Sequence, residues 1–192
     1  SIASMGERMS APLVAAAFRG VGQDAVAVAA DGFILTDDRF GDANVLFGET
    51  NARVRTYFGS LPAGRVAVVT GFMGATDRGV TTTLGRSGSD YTATILAGAL
   101  HADKIVIWTD VDGVLSADPR LVPDAQRVDT LHYREAAELA YFGAKVLHPR
   151  TMRPLMQEGL PLLIKNTLNP DAPGTLITSE EVVRDRPVAA VT

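Results

Sequence analysis

The 192 residues are 46% hydrophobic and 21% charged with a net charge of -4, which suits one globular domain with a full core and excludes a disordered or fibrous chain. The charge balance and the lack of a long basic run argue against nucleic acid as the main partner. Without cysteine there is neither a disulfide framework nor a thiolate metal site, and His101, His132 and His148 are too scattered for zinc. No apolar run approaches the roughly 18 residues of a membrane span, and the first residues lack the basic-then-apolar order of a secretory signal, so a cytoplasmic protein is expected.

In chain order, Met9, Leu13, Val14, Ala17 and Phe18 recur at helical spacing, with Gly20 as the expected stop. Glu7 stands at the entrance of that helix. It reads either as a carboxylate complementing the helix dipole or as an acid facing a ligand. Residues 25–30 form a short apolar strand candidate, followed by Phe33-Ile34-Leu35 and a polar turn, Thr36-Asp37-Asp38-Arg39-Phe40-Gly41, that is either a connection or part of a pocket. Residues 49–58 allow a modest helix, broken by Leu61-Pro62-Ala63-Gly64. The run Val66-Ala67-Val68-Val69-Thr70 has the composition of a buried parallel strand, and Gly71-Phe72-Met73-Gly74 then places a glycine loop at its C-terminal edge, where open α/β sheets bind ligands.

Residues 81–93 concentrate small, flexible and charged side chains ahead of a helical pattern over about 91–100. Gly85 and Gly88 permit close backbone approach, Ser89 or Asp90 can cap the helix, and Arg86 offers a planar fork for a carboxylate. An ordinary surface loop with an N-cap fits the same residues. A strand at 104–109 completes a strand, loop, helix, strand unit, so Gly71, Arg86, Thr109 and Asp110 are expected near one sheet edge. The acidic loop Thr109-Asp110-Val111-Asp112-Gly113 lacks the terminal glutamate of a helix-loop-helix calcium site; its acids make turns or face a nucleotide and its magnesium. Helical spacing returns over 133–140. Phe142-Gly143-Ala144-Lys145 interrupts it before a helix around 150–157, and a lysine at that helix entrance is rationalised by a bound anion or by simple solvation. Two late strands are expected at 160–165 and 175–178.

Together residues 81–93, 108–120, 141–149, Lys165-Asn166-Thr167 and Pro173-Gly174-Thr175-Leu176-Ile177 resemble the catalytic domain of the aspartate kinases, within the amino-acid kinase family. The late segments are most similar to the kinase half of bifunctional aspartate kinase-homoserine dehydrogenases. The resemblance covers nearly the whole chain and implies one domain over residues 1–192, an α/β three-layer αβα sandwich around a mostly parallel open sheet. It implies transfer of the ATP γ-phosphoryl group to the β-carboxylate of L-aspartate, the first step towards lysine, threonine and methionine, with Mg2+ and a homo-oligomer, expected as a dimer.

Residue roles follow from the same resemblance. Glu7 would contact the substrate ammonium, Arg86 its α-carboxylate, and Ser89 and Asp90 the pocket floor, with Arg39 and Phe72 in its wall. Thr109, Asp110, Leu115, Arg120 and Lys145 would hold the nucleotide, Lys145 reaching the phosphates; Lys145, Asp90 and Arg86 form the expected catalytic set, and no protein metal ligand is assigned. Relatives open with a strand and a Lys-Phe-Gly-Gly-Thr-Ser type motif not found in this sequence, so the chain is expected to be N-terminally truncated, without regulatory domains, and weakly active or inactive by itself. Leu115 stands where many relatives have an aromatic residue beside the base, and Ser87 where glycine is common. The rival readings are a neighbouring kinase of the same family and a non-catalytic nucleotide-binding or subunit-interface module.

Overall fold

The computed structural model describes residues 2–118, 120–141, 148–182 and 190. They fall into two compact units, Ser1–Leu100 and His101–Thr192.

The first unit opens with α1 (Met5–Gly20), whose buried residues are Ala11 and Ala15. Small side chains let its backbone approach β1 (Ala25–Val28) closely, while Met5, Met9, Leu13, Val14 and Phe18 form an exposed apolar stripe, Leu13 at 71% and Met9 at 66% exposure. The spacing of those large residues therefore located the helix but not its inward face. Strand β1 pairs in parallel with β2 (Val66–Val69), Ala25 opposite Val66 and Val28 opposite Val69. Between them α2 (Phe47–Gly59) buries Val54, and Phe33 packs its ring 5.5 Å from Tyr57 and 5.6 Å from Phe58.

The glycine loop expected after β2 is shorter than its sequence suggests. Met73 begins β3 (Met73–Ala75), which pairs antiparallel with β4 (Thr81–Thr83), so the threonine run at the head of the expected ligand loop is a strand. β-branched residues favour that pleated, half-buried setting. Helix α3 (Gly88–Leu100) then lies inward, with Tyr91, Ile95 and Ala99 joining Phe33, Ile34, Met73 and Leu84 in one apolar cluster. Each large side chain so buried contributes roughly 1.5–3 kcal/mol. That cluster is the foundation beneath the loops joining β2 to β3 and β4 to α3.

In the second unit β5 (Ile105–Thr109), β7 (Leu162–Asn166), β8 (Thr175–Thr178) and β6 (Thr130–His132) form one sheet in the spatial order β5-β7-β8-β6. β5 and β7 run parallel, as do β6 and β8, and only the β7–β8 pair is antiparallel. The parallel partner of β2 is thus β1, and that of β5 is β7. Helix α4 (Tyr133–Tyr141) follows β6 directly, and α5 (Pro149–Glu158) is capped by His148, whose Nδ1 accepts the Arg150 N–H at 3.3 Å, with proline at the first helical position where no N–H is needed. Gly174, at φ 79°, closes the turn into β8; a Cβ there would stand 2.1 Å from the Ile164 carbonyl oxygen. Among the described residues parallel ladders outnumber antiparallel ones, as expected from the sequence.

Candidate active site

In the first unit the site is built around Glu7. The first turn of α1 delivers its carboxylate to two donors from distant parts of the sequence: the Gly71 N–H at 2.9 Å and the Ser89 hydroxyl at 3.1 Å. A carboxylate that only complemented its own helix dipole would not need either. The neighbouring Arg8 ion-pairs with Asp31, which also accepts from the Thr81 hydroxyl at 3.2 Å, so α1 is fastened at Arg8 as well as at Glu7. Gly71 is required sterically, since a Cβ would come within 2.6 Å of Ser89 Oγ.

Ser89 and Asp90 do not cap α3, contrary to expectation. The helix begins at Gly88, which puts both inside its first turn, and the Ser89 hydroxyl is directed to Glu7 instead. Asp90 is half-buried, and burial pushes its carboxyl above the usual carboxylate range. Phe72 has a left-handed backbone, φ 66°, as does Ser87 at φ 54°. Both flank the glycines: a Cβ on Gly88 would lie 2.7 Å from the Phe72 ring, and one on Gly85, at φ 76°, 2.4 Å from Asp42 Oδ1. Asp42 belongs to the same turn as Arg39. Asp37 holds that turn by accepting from the Asn44 side chain at 2.7 Å and the Asn44 and Arg39 N–H groups at 2.9 and 3.2 Å; the Asn44 side-chain bond, followed by its backbone bond, keeps its carboxyl below the ordinary range.

Arg86 is exposed on the turn before α3, and among the described residues no carboxylate pairs with it or with Arg39. The first unit therefore carries an anchored carboxylate, Glu7, together with the guanidinium groups of Arg39 and Arg86, neither held by a carboxylate among the described residues. Those charges match an ammonium and carboxylates on a small zwitterion or diacid.

In the second unit Thr109 ends β5, its carbonyl accepting the Thr167 N–H at 2.8 Å and its hydroxyl donating to Asp110 at 3.2 Å. Asp110 is exposed at the strand's C-terminal edge. Asp112 accepts from the side-chain amides of Asn166 and Asn169 at 2.7 and 3.2 Å, a tie between loops that the sequence reading missed. Leu115 is half-buried and bridges to Arg127. Arg120, expected to face the nucleotide, instead forks onto Asp118 with Nε 3.0 Å from Oδ1 and the terminal nitrogen 2.5 Å from Oδ2. That hydrogen bond and the carboxylate's charge raise its pKa further, so it enters any phosphate contact by exchanging or sharing Asp118. Lys145 lies outside the described residues. No three His, Asp or Glu side chains converge as a metal site among the described residues.

Strands that run parallel and deliver short glycine-bearing loops from their C-terminal ends define an α/β ligand-binding fold. The chain belongs to the amino acid kinase family, whose model matches residues 1–166. It is 44% identical over 172 residues to a bifunctional aspartokinase/homoserine dehydrogenase of Haemophilus influenzae, covering 90% of this chain and 21% of that protein. It is 47% identical over 181 residues to aspartokinase 2, chloroplastic, of Arabidopsis thaliana, covering 92% and 33%. Among solved structures, E. coli aspartokinase III in complex with aspartate and ADP matches with a TM-score of 0.88 and 40% identity over 92% of this chain and 40% of that one. The chain thus spans from about a fifth to two fifths of the length of these proteins.

Proposed function

We propose that residues 1–192 form the catalytic domain of an aspartate kinase, which transfers the γ-phosphoryl group of ATP to the β-carboxylate of L-aspartate. The observation that carries this reading is the Glu7 carboxylate, held by the Gly71 N–H and the Ser89 hydroxyl, in the same unit as Arg86, which no carboxylate pairs among the described residues. Its support from outside the chain is likeness to an aspartokinase solved with aspartate and ADP. The family model crosses the division between the two compact units, which favours one functional domain over both.

In this reading Glu7 receives the substrate ammonium and Arg86 the α-carboxylate in bidentate fashion, while Arg39, Phe72, Ser89 and Asp90 complete the pocket. Thr109, Asp110, Leu115, Arg120 and Lys145 hold the nucleotide. The attacking β-carboxylate is already ionised, so no general base is needed; the barrier lies in bringing one anion in line with a more negative one. Lys145 is read as neutralising the transferring group, a preorganised donor contributing on the order of a few kcal/mol, and a bound magnesium would supply further positive charge to the phosphates. The protein is read as a cytoplasmic homodimer acting at the head of lysine, threonine and methionine synthesis. No helix among the described residues is long and apolar enough to cross a membrane.

The test is hydroxamate trapping with magnesium, ATP and aspartate, on the protein carrying these residues. Aspartyl hydroxamate is expected. Calorimetric ATP binding without any trapped acyl phosphate would replace the kinase with a nucleotide-binding module.

A further inference from the structure

Thr92 belongs to none of the roles above, yet it is the side chain that ties the start of α3 to the loop after β2. It is 3% exposed. Its hydroxyl donates to the Gly88 carbonyl at 2.9 Å, one helical turn back, and so its proton is committed. The oxygen then accepts the Phe72 N–H at 3.1 Å. Phe72 is one of three non-glycine residues with positive φ among the described residues, and such a conformation persists only where the surroundings over-determine it. Three contacts do so. Thr92 takes the Phe72 N–H, Leu84 donates its own N–H to the Phe72 carbonyl at 2.9 Å, and Gly88 leaves room for the ring. One residue earlier in the chain is Gly71, whose N–H meets Glu7.

We infer that Thr92 is a positioning residue for the pocket around Glu7: its buried hydroxyl locks the left-handed Phe72 backbone and thereby aims the Gly71 amide at the Glu7 carboxylate. This rests on the reading of that pocket as the aspartate site. Without the hydroxyl the Phe72 N–H loses its partner in a partly buried place, and the backbone relaxes towards ordinary φ values. The Glu7 carboxylate and the Phe72 ring then leave the arrangement that receives the amino acid. Residues 109–120, which serve the nucleotide, belong to the other unit.

The experiment compares Thr92→Val, which keeps the shape but not the hydroxyl, with Thr92→Ser, which keeps the hydroxyl, in the protein carrying this chain. KM is measured for aspartate at saturating MgATP and for MgATP at saturating aspartate. Thr92→Val is expected to raise the aspartate KM at least about tenfold with the MgATP KM within about twofold, and Thr92→Ser to stay within about threefold of the parent. An unchanged aspartate KM in Thr92→Val, a serine variant as impaired as the valine one, or parallel rises for both substrates would overturn the positioning role. Amide hydrogen exchange on the unmodified protein gives a second arm that needs no variant. The Phe72 N–H is expected to be protected, and exchange at the unprotected rate would overturn the proposal. A parent protein that traps no aspartyl hydroxamate overturns the substrate reading instead, which separates the two failures.

Discussion

Arg86 stands exposed on the turn between two left-handed residues, Gly85 at φ 76° and Ser87 at φ 54°. At the φ of Ser87 a Cβ is tolerated, but glycine would reach that region without strain. Lysine at 86 would keep the positive charge and lose the planar fork. Arg86→Lys is therefore expected to raise the aspartate KM by about tenfold or more while leaving ATP binding nearly unchanged, which steady-state kinetics with nucleotide calorimetry checks. Unchanged aspartate kinetics would remove Arg86 from the pocket. Asp90 makes a different prediction. Burial raises its folded-state pKa above the ordinary value of 3.8. Between those two values the folded chain holds the proton more tightly than the unfolded one, so stability falls as pH rises through that window, and above it the cost of the buried charge is fully present. Asp90→Asn should accordingly melt higher than the parent at pH 7 while losing activity, and the gap in melting temperature should close as pH falls below 3.8. A gap that widens towards low pH would contradict this origin.

At the level of elements, α1, α3 and α4 were legible from apolar spacing, and α2 and α5 as helical stretches set off by the breaks at 61–64 and 142–145. β3, β4 and β6 were not. Each is three residues long, too short for alternation to register, and β3 begins inside a segment whose glycines read as loop. The site was legible where a short run of residues carries it, as at Gly85-Arg86-Ser87-Gly88. The contacts that join distant segments were not legible from local patterns: Glu7 meets Gly71 and Ser89 across 64 and 82 positions, and only the family resemblance put Glu7 and Ser89 in one pocket. Ser89 and Asp90 looked like caps because the helix start was placed too late. The join between α3 and the loop after β2 is also tight. A methyl group on Gly71 would meet Oγ, Cβ and Cα of Ser89 at 2.6–2.9 Å, and two of those atoms cannot swing aside without moving the helix. Gly71→Ala is expected to destabilise by about 1–3 kcal/mol, read from chemical denaturation. A neutral outcome would mean that the first turn of α3 yields more easily than its burial suggests.

For the molecule as a whole, the first unit gathers the residues read as gripping the amino acid, and the second those read as gripping the nucleotide. Lys145 stands in a segment outside the described residues, and its role comes from the resemblance of residues 141–149 to the aspartate kinases. If it stabilises transition-state charge, Lys145→Ala should lower kcat on the order of a hundredfold while the melting temperature stays nearly constant. Turnover at the parent rate would reject that role. Arg120 is forked by Asp118, two positions earlier, so the nucleotide role read for it requires that fork to be shared or exchanged.

The exposed stripe of α1 has a chemical consequence. Of the five methionines, Met73 and Met152 are sealed in the interior, whereas Met5, Met9 and Met156 have about half or more of their surface open to solvent. Thioethers in water oxidise to sulfoxides, and the change makes a flexible apolar side chain polar. Ageing or brief peroxide treatment should therefore strike Met5, Met9 and Met156 before Met73 and Met152, an order that peptide mass spectrometry reads directly. Two of those three targets lie within the first two turns of α1, on either side of Glu7. Oxidative damage to this protein would begin beside its candidate substrate pocket, wetting the stripe while its core stays intact.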